Sequence, residues 1–487
     1  MFASTTYDRL FIDGKWVTTH DQRTTAVTNP ATGTTIGTVP EGGAADLDAA
    51  VDAARRAYDD GPWSRMSLRE RSVLLHRFVD VLDSHRSELA STITAESGAL
   101  PTLVAGTHFG IGFGRFRHAI DLAGSQLDSA TPLRMGAGSV MGGTALVYQP
   151  RGVVGLITPF NFPLYLNLCK LGPALAMGNT VVLKPSPLTP LEGLVLGVAA
   201  AEAGLPPGVI NIVTGGGDVG ESLVADPRVD MISFTGSDRT GSHIMALAAR
   251  SLKPVVLELG GKSALIVRED APVRQAVDIA YNSFTLHSGQ GCVLLTRHVV
   301  HRSLVDEFLD GLAARAENAV IGDPLDPETT MGPLISREQQ QRVAEYVAIG
   351  ENEGGKVVTG GRPIDRDGFF FSPTVIHGVT PKARVAQEEI FGPVAVVLAF
   401  DTDDEAVSIA NDSRFGLSGG VVSADTGKAW EIARRMKTGS VRINGGGTAL
   451  DADAPITGYG ASGIGAEHGL AGLLEFGQPQ AIAFRVG

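Results

Sequence analysis

The 487-residue chain contains two cysteines, Cys169 and Cys292, far apart in sequence. Two thiols cannot build a disulfide framework, and no CxxC pair or His/Cys cluster at zinc-ligand spacing accompanies them. No metal site is therefore expected. Positive charge is in short supply as well: 40 Lys and Arg against 53 Asp and Glu leave a formal net charge of −13. That balance argues for solubility and against a nucleic-acid or polyanion surface. No apolar run reaches the ~20 residues that span a bilayer. The opening residues MFASTTYDRLFIDGKWV also lack a basic segment followed by an apolar one. The expectation is a soluble, cytoplasmic protein with neither a nucleic-acid nor a membrane partner. Repeats, linkers and low-complexity segments are missing too. The length suits about three domains of ~150 residues each, large enough to bury cores without disulfide or metal staples.

Glycine, by contrast, is plentiful. There are 61, about one residue in eight against a usual ~7%. They gather at the ends of apolar runs, where a backbone turns tightly or approaches a ligand. The spacing of apolar residues predicts helices over 44–60 and 69–95. A glycine-rich stretch at 135–143 followed by TALVYQP reads as a protruding hairpin. From 151 onward apolar strands alternate with helical patterns, which predicts βαβ units and a parallel sheet. Ligands of such sheets bind at the carboxyl ends of strands. There the polar punctuation falls: Thr158 to Asn161, Lys184 to Ser186, Thr235 to Ser237 and Glu258 to Gly261. A second α/β run extends from 262 to about 444, and the tail reads as a short helix and a strand. The expectation is two α/β lobes plus a small element built from the 123–148 hairpin and the C-terminal strand.

Several residues could carry chemistry, each with a plainer alternative. Gly215 to Gly220 matches G-x-G-x-x-G after a strand and before a helix. Its expected acidic partner could only be Asp230 or Asp238, and neither clearly ends a strand, so a glycine-rich turn is the alternative. Lys184 ends an apolar strand, where it could meet a ribose or phosphate or simply reach solvent. Glu258 sits in the apolar VVLELGGK, where desolvation would raise its pKa into a range useful for a general base. Equally, Lys262 or backbone N–H groups could pin it. The Asn161 amide could stabilise an oxyanion or cap the next helix. Cys169, at helical spacing among apolar residues, reads as packing. Cys292 follows Gly-Gln-Gly, a bend that leaves room beside the thiol, and local context leaves nucleophile and core filler evenly matched.

The segments PFNFP, LKPS, FTGS, LELGGKS, GQGC, EEIFGPV and NGGG…GYGASGIGAEHG occur in this order. Together they strongly resemble the NAD(P)-dependent aldehyde dehydrogenase superfamily, from about residue 8 to the end. The resemblance implies an α/β fold with a Rossmann-type cofactor domain, an α/β catalytic domain and a small β oligomerisation element. The implied boundaries are 1–122 and 146–257 for the cofactor domain, to which 445–467 returns. Residues 258–444 form the catalytic domain, and 123–145 with 468–487 the oligomerisation element of a homodimer or homotetramer. Matched residue by residue, Cys292 takes the nucleophile's position, Glu258 the general base's and Asn161 the oxyanion-stabilising asparagine's. The first strand end contributes Thr158, Pro159 and Phe160 to the cofactor site, and Lys184, Ser186 and Pro187 flank its adenosine ribose. Gly217, Phe234, Thr235, Gly236, Ser237, Gly241 and Leu259 surround the pyrophosphate turn, with Glu389 and Phe391 at the nicotinamide ribose and ring.

The implied reaction is oxidation of an aldehyde to an acid through a thiohemiacetal and a thioester on Cys292, hydrolysed by a Glu258-activated water. Glu258 favours hydrolysis over the alternative of acyl transfer to coenzyme A. Retention of all three chemical residues favours catalysis over a binding protein on the same fold. Position 187 is proline, whereas many NAD-preferring relatives carry a glutamate there; the resemblance thus implies NAD and leaves room for NADP. Phe162, Leu166, Leu286, Gly291 and Val293 are expected along the aldehyde's approach. With no basic residue apparent among them, the substrate is expected to be an uncharged aliphatic, terpenoid or aromatic aldehyde.

Overall fold

The apolar runs after residue 151 assemble into an eight-stranded sheet in a computed structural model of the chain, which describes residues 5–127, 131–136, 141–447 and 451–486. Five strands form its parallel centre, in the order Ile210–Ile212, Thr180–Lys184, Val153–Ile157, Met231–Thr235 and Val255–Glu258. Residues on alternate faces join different cores, as the two-residue period of a strand requires. Val153, Ile157 and Val182 pack with helices Ala44–Asp59 and Gly217–Ala225. Val154, Leu156 and Val181 pack instead with helices Leu68–Ser84, Pro163–Ala176 and Leu191–Ala203. With both faces covered, these strands are mostly apolar, their polar residues falling mainly at the ends.

Strand order decides where a ligand can enter. From Val153–Ile157 the chain builds outward through Thr180–Lys184 and Ile210–Ile212. It then returns to lay Met231–Thr235 and Val255–Glu258 on the other side. The carboxyl ends of Val153–Ile157 and Met231–Thr235 therefore flank a topological switch point, the crevice where open α/β sheets bind ligands. A segment from near the C-terminus, Gly463–Ile464, pairs antiparallel with Val255–Glu258, setting Gly463 opposite Glu258.

A second sheet has seven strands in the order Lys356–Thr359, Thr374–His377, Val394–Phe400, Leu295–His301, Ser263–Val267, Ser418–Val422 and Ser440–Ile443. Cys292 lies three residues before Leu295–His301. A third sheet is antiparallel, with Met141–Pro150 between Thr131–Gly136 and Gly477–Val486.

Some limits differ from those read in the sequence. The 69–95 pattern is two helices, Leu68–Ser84 and Arg86–Ser97, broken at His85, whose φ of −110° and ψ of 25° are not helical. The expected hairpin begins later than 123, because helix Gly112–Gln126 runs past that point. Asp230 is a tether rather than a ribose ligand: its carboxylate accepts the Val153 N–H at 2.7 Å and pairs with Arg55 at 3.1 Å. Asp238 is ion-paired with Arg414. Neither completes a dinucleotide fingerprint with Gly215 to Gly220. Among the described residues no helix is long and apolar enough to cross a membrane, and no group of three or more His, Cys, Asp or Glu is placed to hold a metal.

Candidate active site

The bend before Cys292 is built from backbone rarely seen outside glycine. His287, Ser288 and Gly289 all have positive φ, at 48°, 56° and 75°. A non-glycine residue there costs on the order of 1 kcal/mol, so the surroundings must hold it. Ser288 Oγ donates to the Gly332 carbonyl at 2.7 Å, and Gln290 Oε1 accepts the Ile335 N–H at 2.9 Å. At Gly289 a Cβ would lie 2.2 Å from the Gly392 backbone, so no side chain fits. The bend leaves Cys292 half-buried, with its thiol near enough to Glu258 for each group to shift the other's pKa. Burial first, then the carboxylates Glu258 and Glu389, hold that thiol well above its ordinary pKa. Cys169 is buried within helix Pro163–Ala176, and burial pushes it up to about 12.

Glu258 ends its strand almost fully buried, and burial lifts its pKa to about 8, helped by Glu467. The pinning alternative is not realised. Glu258 Oε1 and Lys262 Nζ each lack a hydrogen-bond partner among the described residues. Burial, followed by nearby Arg297, lowers Lys262 to about 7. Asn161 does not cap the next helix either. Phe162 occupies that position without a side-chain bond, and Pro163 supplies the first helical residue, where its missing N–H costs nothing. The Asn161 Nδ2 donates to the Gln290 carbonyl at 3.0 Å, which ties the amide to the cysteine bend.

Asn161 and Cys292 share a cavity of about 440 Å³ with Pro159, Phe160, Thr235, Gly236, Ser237, Leu259, Glu389 and Phe391. Ser237 Oγ accepts the Thr240 N–H and caps helix Asp238–Ala248. The positive end of that helix therefore opens at the switch point, where an anion is favoured. A Cβ on Gly236 would strike the Phe234 ring at 2.4 Å, and one on Gly241 the Leu259 side chain at 2.6 Å. Glu389 accepts the Gly261 N–H at 2.9 Å, and burial raises it to about 7. Phe391 (φ 61°) meets Phe160 edge-on, with ring centroids 5.7 Å apart.

Lys184 gathers a second group beside this cavity. Its buried Nζ donates to the Pro185 and Gly215 carbonyls, both at 3.2 Å, and a Cβ on Gly220 would touch its Cε. Burial lowers Lys184 to about 8, opposed by the charge of Asp218. Ser186 Oγ accepts the Leu188 N–H at 3.2 Å, Pro187 is exposed, and a Cβ on Gly217 would meet open space. Thr158, expected in the cofactor site, donates its hydroxyl to Asn167 Oδ1 at 2.7 Å and so offers that site its backbone.

Of the five residues expected along the aldehyde's approach, Leu286 lines a further cavity of about 520 Å³ with His287, Thr107 and Tyr281. The Phe162 ring lies 5.4 Å from that of His287, Leu166 and Gly291 are buried, and Val293 is half-buried. The expectation that no basic residue approaches needs revision, because Arg315 lines the same cavity. Its guanidinium is engaged, paired with Asp278 at 3.3 Å and set over the Tyr281 ring at 5.0 Å.

Two further features escaped the sequence reading. A buried ion pair, Lys170 with Glu467, lies beside Glu258, and Lys170 also donates to Ser233 at 2.9 Å. A lysine inside the apolar YLNLCKLGPALAMG was its one visible signal. Around Phe162 stand His108, His287 and Tyr165, and Tyr165 in turn contacts His468 at 3.1 Å.

The model of the aldehyde dehydrogenase family matches residues 16–482. Over 462 residues the chain is 40% identical to the putative aldehyde dehydrogenase DhaS of Bacillus subtilis, covering 95% of this chain and 92% of that one. It is also 40% identical over 465 residues to geranial dehydrogenase of Castellaniella defragrans, covering 95% and 96%. The NAD+ complex of aldehyde dehydrogenase from Bacillus cereus superposes with a TM-score of 0.95 at 36% identity, covering 98% of this chain and 96% of that one. A mutant Aldehyde Dehydrogenase C from Pseudomonas syringae, complexed with NAD+ and octanal, superposes with a TM-score of 0.92 at 38% identity, covering 98% and 96%.

Proposed function

The chain belongs to the aldehyde dehydrogenase family, and on that footing we propose that it oxidises an uncharged aldehyde to its carboxylic acid with NAD, through a thioester on Cys292. The observation that carries this reading is the placement of Cys292 and Asn161 on one cavity, with Glu258 near enough to the thiol for each to shift the other's pKa.

Burial and neighbouring carboxylates keep the thiol neutral at rest, so attack begins with transfer of its proton to the Glu258 carboxylate. The Cys292 sulfur then adds to the carbonyl carbon, and the Asn161 amide donates to the oxygen as it becomes an oxyanion. Bound NAD supplies the acceptor for the hydride that leaves this thiohemiacetal. Glu258 releases the first proton to solvent and, ionised again, takes one from water as that water attacks the thioester. The carbon–sulfur bond then breaks and the sulfur recovers that proton from Glu258. The acid leaves and Cys292 is restored.

The residues fit a dinucleotide. Lys184 and Ser186 would hold the adenosine ribose, Gly236, Ser237 and the helix start the pyrophosphate, and Glu389 with Phe391 the nicotinamide half. NAD-bound relatives of the same fold support the assignment. Pro187 brings no carboxylate to the ribose. Asp218, exposed at the start of helix Gly217–Ala225 and felt by Lys184, would bring one there and repel a 2′-phosphate.

Domain roles follow the same division: 1–122, 146–257 and 445–467 hold the cofactor, and 258–444 carries the nucleophile. The third sheet serves assembly into a homodimer or homotetramer. Its outer strand Gly477–Val486 exposes Ile482 and Phe484, two residues apart and so on one face. The test is NADH formation by purified protein over a panel of aliphatic, terpenoid and aromatic aldehydes. Turnover is expected with the native chain and not with Cys292→Ala; full activity in that variant would overturn the mechanism.

A further inference from the structure

The Asn161 Nδ2 donates to the Gln290 carbonyl at 3.0 Å. A carbonyl accepts and never donates, so this contact decides which end of the amide faces the cysteine bend. One of the two Nδ2 protons is spent there, and the other is left for an oxygen bound beside Cys292. Asn161 Oδ1 has no partner among the described residues and so offers no second hold on the amide. The usefulness of Asn161 therefore depends on where the Gln290 carbonyl sits.

Gln290 has no exposed surface, and its side chain braces the bend from two directions. Its Nε2 donates to the His287 carbonyl at 3.1 Å, the same oxygen that accepts the Gln290 N–H at 3.1 Å. Its Oε1 accepts the Ile335 N–H at 2.9 Å. The first bond closes the bend on itself, and the second ties it to a segment 45 positions away. His287 and Ser288 sit at positive φ, a conformation that persists only where the surroundings over-determine it. Without the two side-chain bonds the Gln290 peptide could turn, and its carbonyl would leave Asn161.

We propose that Gln290 is a positioning residue for the oxidation, holding its own carbonyl where it aims the Asn161 amide at the substrate oxygen. The proposal rests on the dehydrogenase reading above and adds a residue that acts through Asn161. The oxyanion forms only as sulfur adds to the carbonyl carbon. Lost aim is therefore felt in the transition state and not in binding of the aldehyde.

The test is a double-mutant cycle between Gln290→Met and Asn161→Ala. It reads the single-turnover rate of NADH formation by NAD-loaded protein, with the aldehyde of the panel above that the native chain oxidises fastest. Methionine is close to glutamine in volume and carries neither the amide donor nor its oxygen. With Asn161 in place, Gln290→Met should lower the rate about tenfold or more, within the ~10²–10³ that loss of an oxyanion donor removes. In the Asn161→Ala background it should lower the rate less than about threefold, because the amide it aims is gone. A residue that merely supported Cys292 would cost as much without Asn161 as with it. Half-saturating concentrations of aldehyde and NAD should stay within about threefold of native. Should Gln290→Met fail to fold, Gln290→Ser leaves room for water at the Ile335 N–H and the His287 carbonyl, and the same limits apply.

Three results overturn the proposal while aldehyde oxidation leaves the dehydrogenase reading standing. They are a loss below about tenfold beside Asn161, a loss of about threefold or more in the Asn161→Ala background, or a larger shift in the half-saturating concentrations. A native rate in Asn161→Ala would remove the oxyanion assignment and the proposal with it. Absence of oxidation of every aldehyde would overturn the dehydrogenase reading as well.

Discussion

Replacing Glu258 with glutamine should make the protein more stable and nearly useless, in a proportion set by pH. Burial and the Glu467 charge raise the Glu258 pKa from 4.5 to about 8. An unfolded chain releases that proton near the ordinary value, so between these limits the folded state holds a proton that the unfolded state has lost. The stability tied to this group is complete below about pH 4.5 and disappears as pH rises through about 8. At ~1.4 kcal/mol per pH unit, ionisation sets the native chain back by about 3 kcal/mol at pH 7 and about 5 kcal/mol at pH 8.5. Glutamine keeps the shape of the protonated carboxyl and never ionises. Urea midpoints of the two proteins should therefore differ by less than about 1 kcal/mol at pH 5 and separate steadily above it. Activity should move the other way. With ionised Glu258 as the proposed base, the native steady-state rate should climb with pH through a midpoint near 8 towards a plateau above it. Glu258→Gln lacks the proposed base for both the thiol and the water, so its turnover should be all but lost across the whole pH range. A stability gap that does not change with pH, or sustained turnover by the variant, would refute the reasoning.

Removing the Asn161 amide in Asn161→Ala should lower kcat by ~10²–10³ with little change in KM, the usual effect of losing one oxyanion donor; steady-state kinetics check this. Asp218→Ser should raise kcat/KM for NADP relative to NAD by about tenfold, through loss of the carboxylate opposed to a 2′-phosphate. An unmoved ratio would return the choice of coenzyme to other residues. Cys169→Ala should keep its turnover number and lose about 1 kcal/mol of stability, read from denaturation midpoints.

Much of the first sheet was legible because strands buried on both faces must be mostly apolar, as in TVVLK and MISFT. The cysteine bend was legible because backbone at positive φ and in close contact favours glycine, and Gly289 stands there. The same reasoning stops at His287 and Ser288, which adopt positive φ with side chains that give no warning of it. Lys170 and Glu467 are 297 positions apart, and no local pattern joins them. His108 is one histidine among apolar and small neighbours, and only the tertiary structure sets it beside Phe162 and His287. Nor did the sequence indicate that the Thr158 hydroxyl turns inward to Asn167, because a residue at a ligand-binding edge need not aim its side chain outward. Helix limits at His85 and Gln126 depend on local dihedral choices that apolar periodicity does not encode.

The short pairing of Gly463 with Glu258 bears on how the enzyme comes into being. A ribosome that has made residues 1–444 has already made Cys292, Glu258, Asn161 and most of both large sheets. The strand that carries Glu258 nonetheless still lacks its outer neighbour. Lys170 lacks Glu467, and Asn179 lacks the Phe476 carbonyl to which it donates at 3.0 Å. The Glu467 charge that helps raise the Glu258 pKa is made after Cys292 and Glu258, so a product truncated at 444 carries Cys292 beside a carboxyl without that influence. Synthesis from N- to C-terminus therefore makes Cys292 well before the segments that complete the surroundings of Glu258.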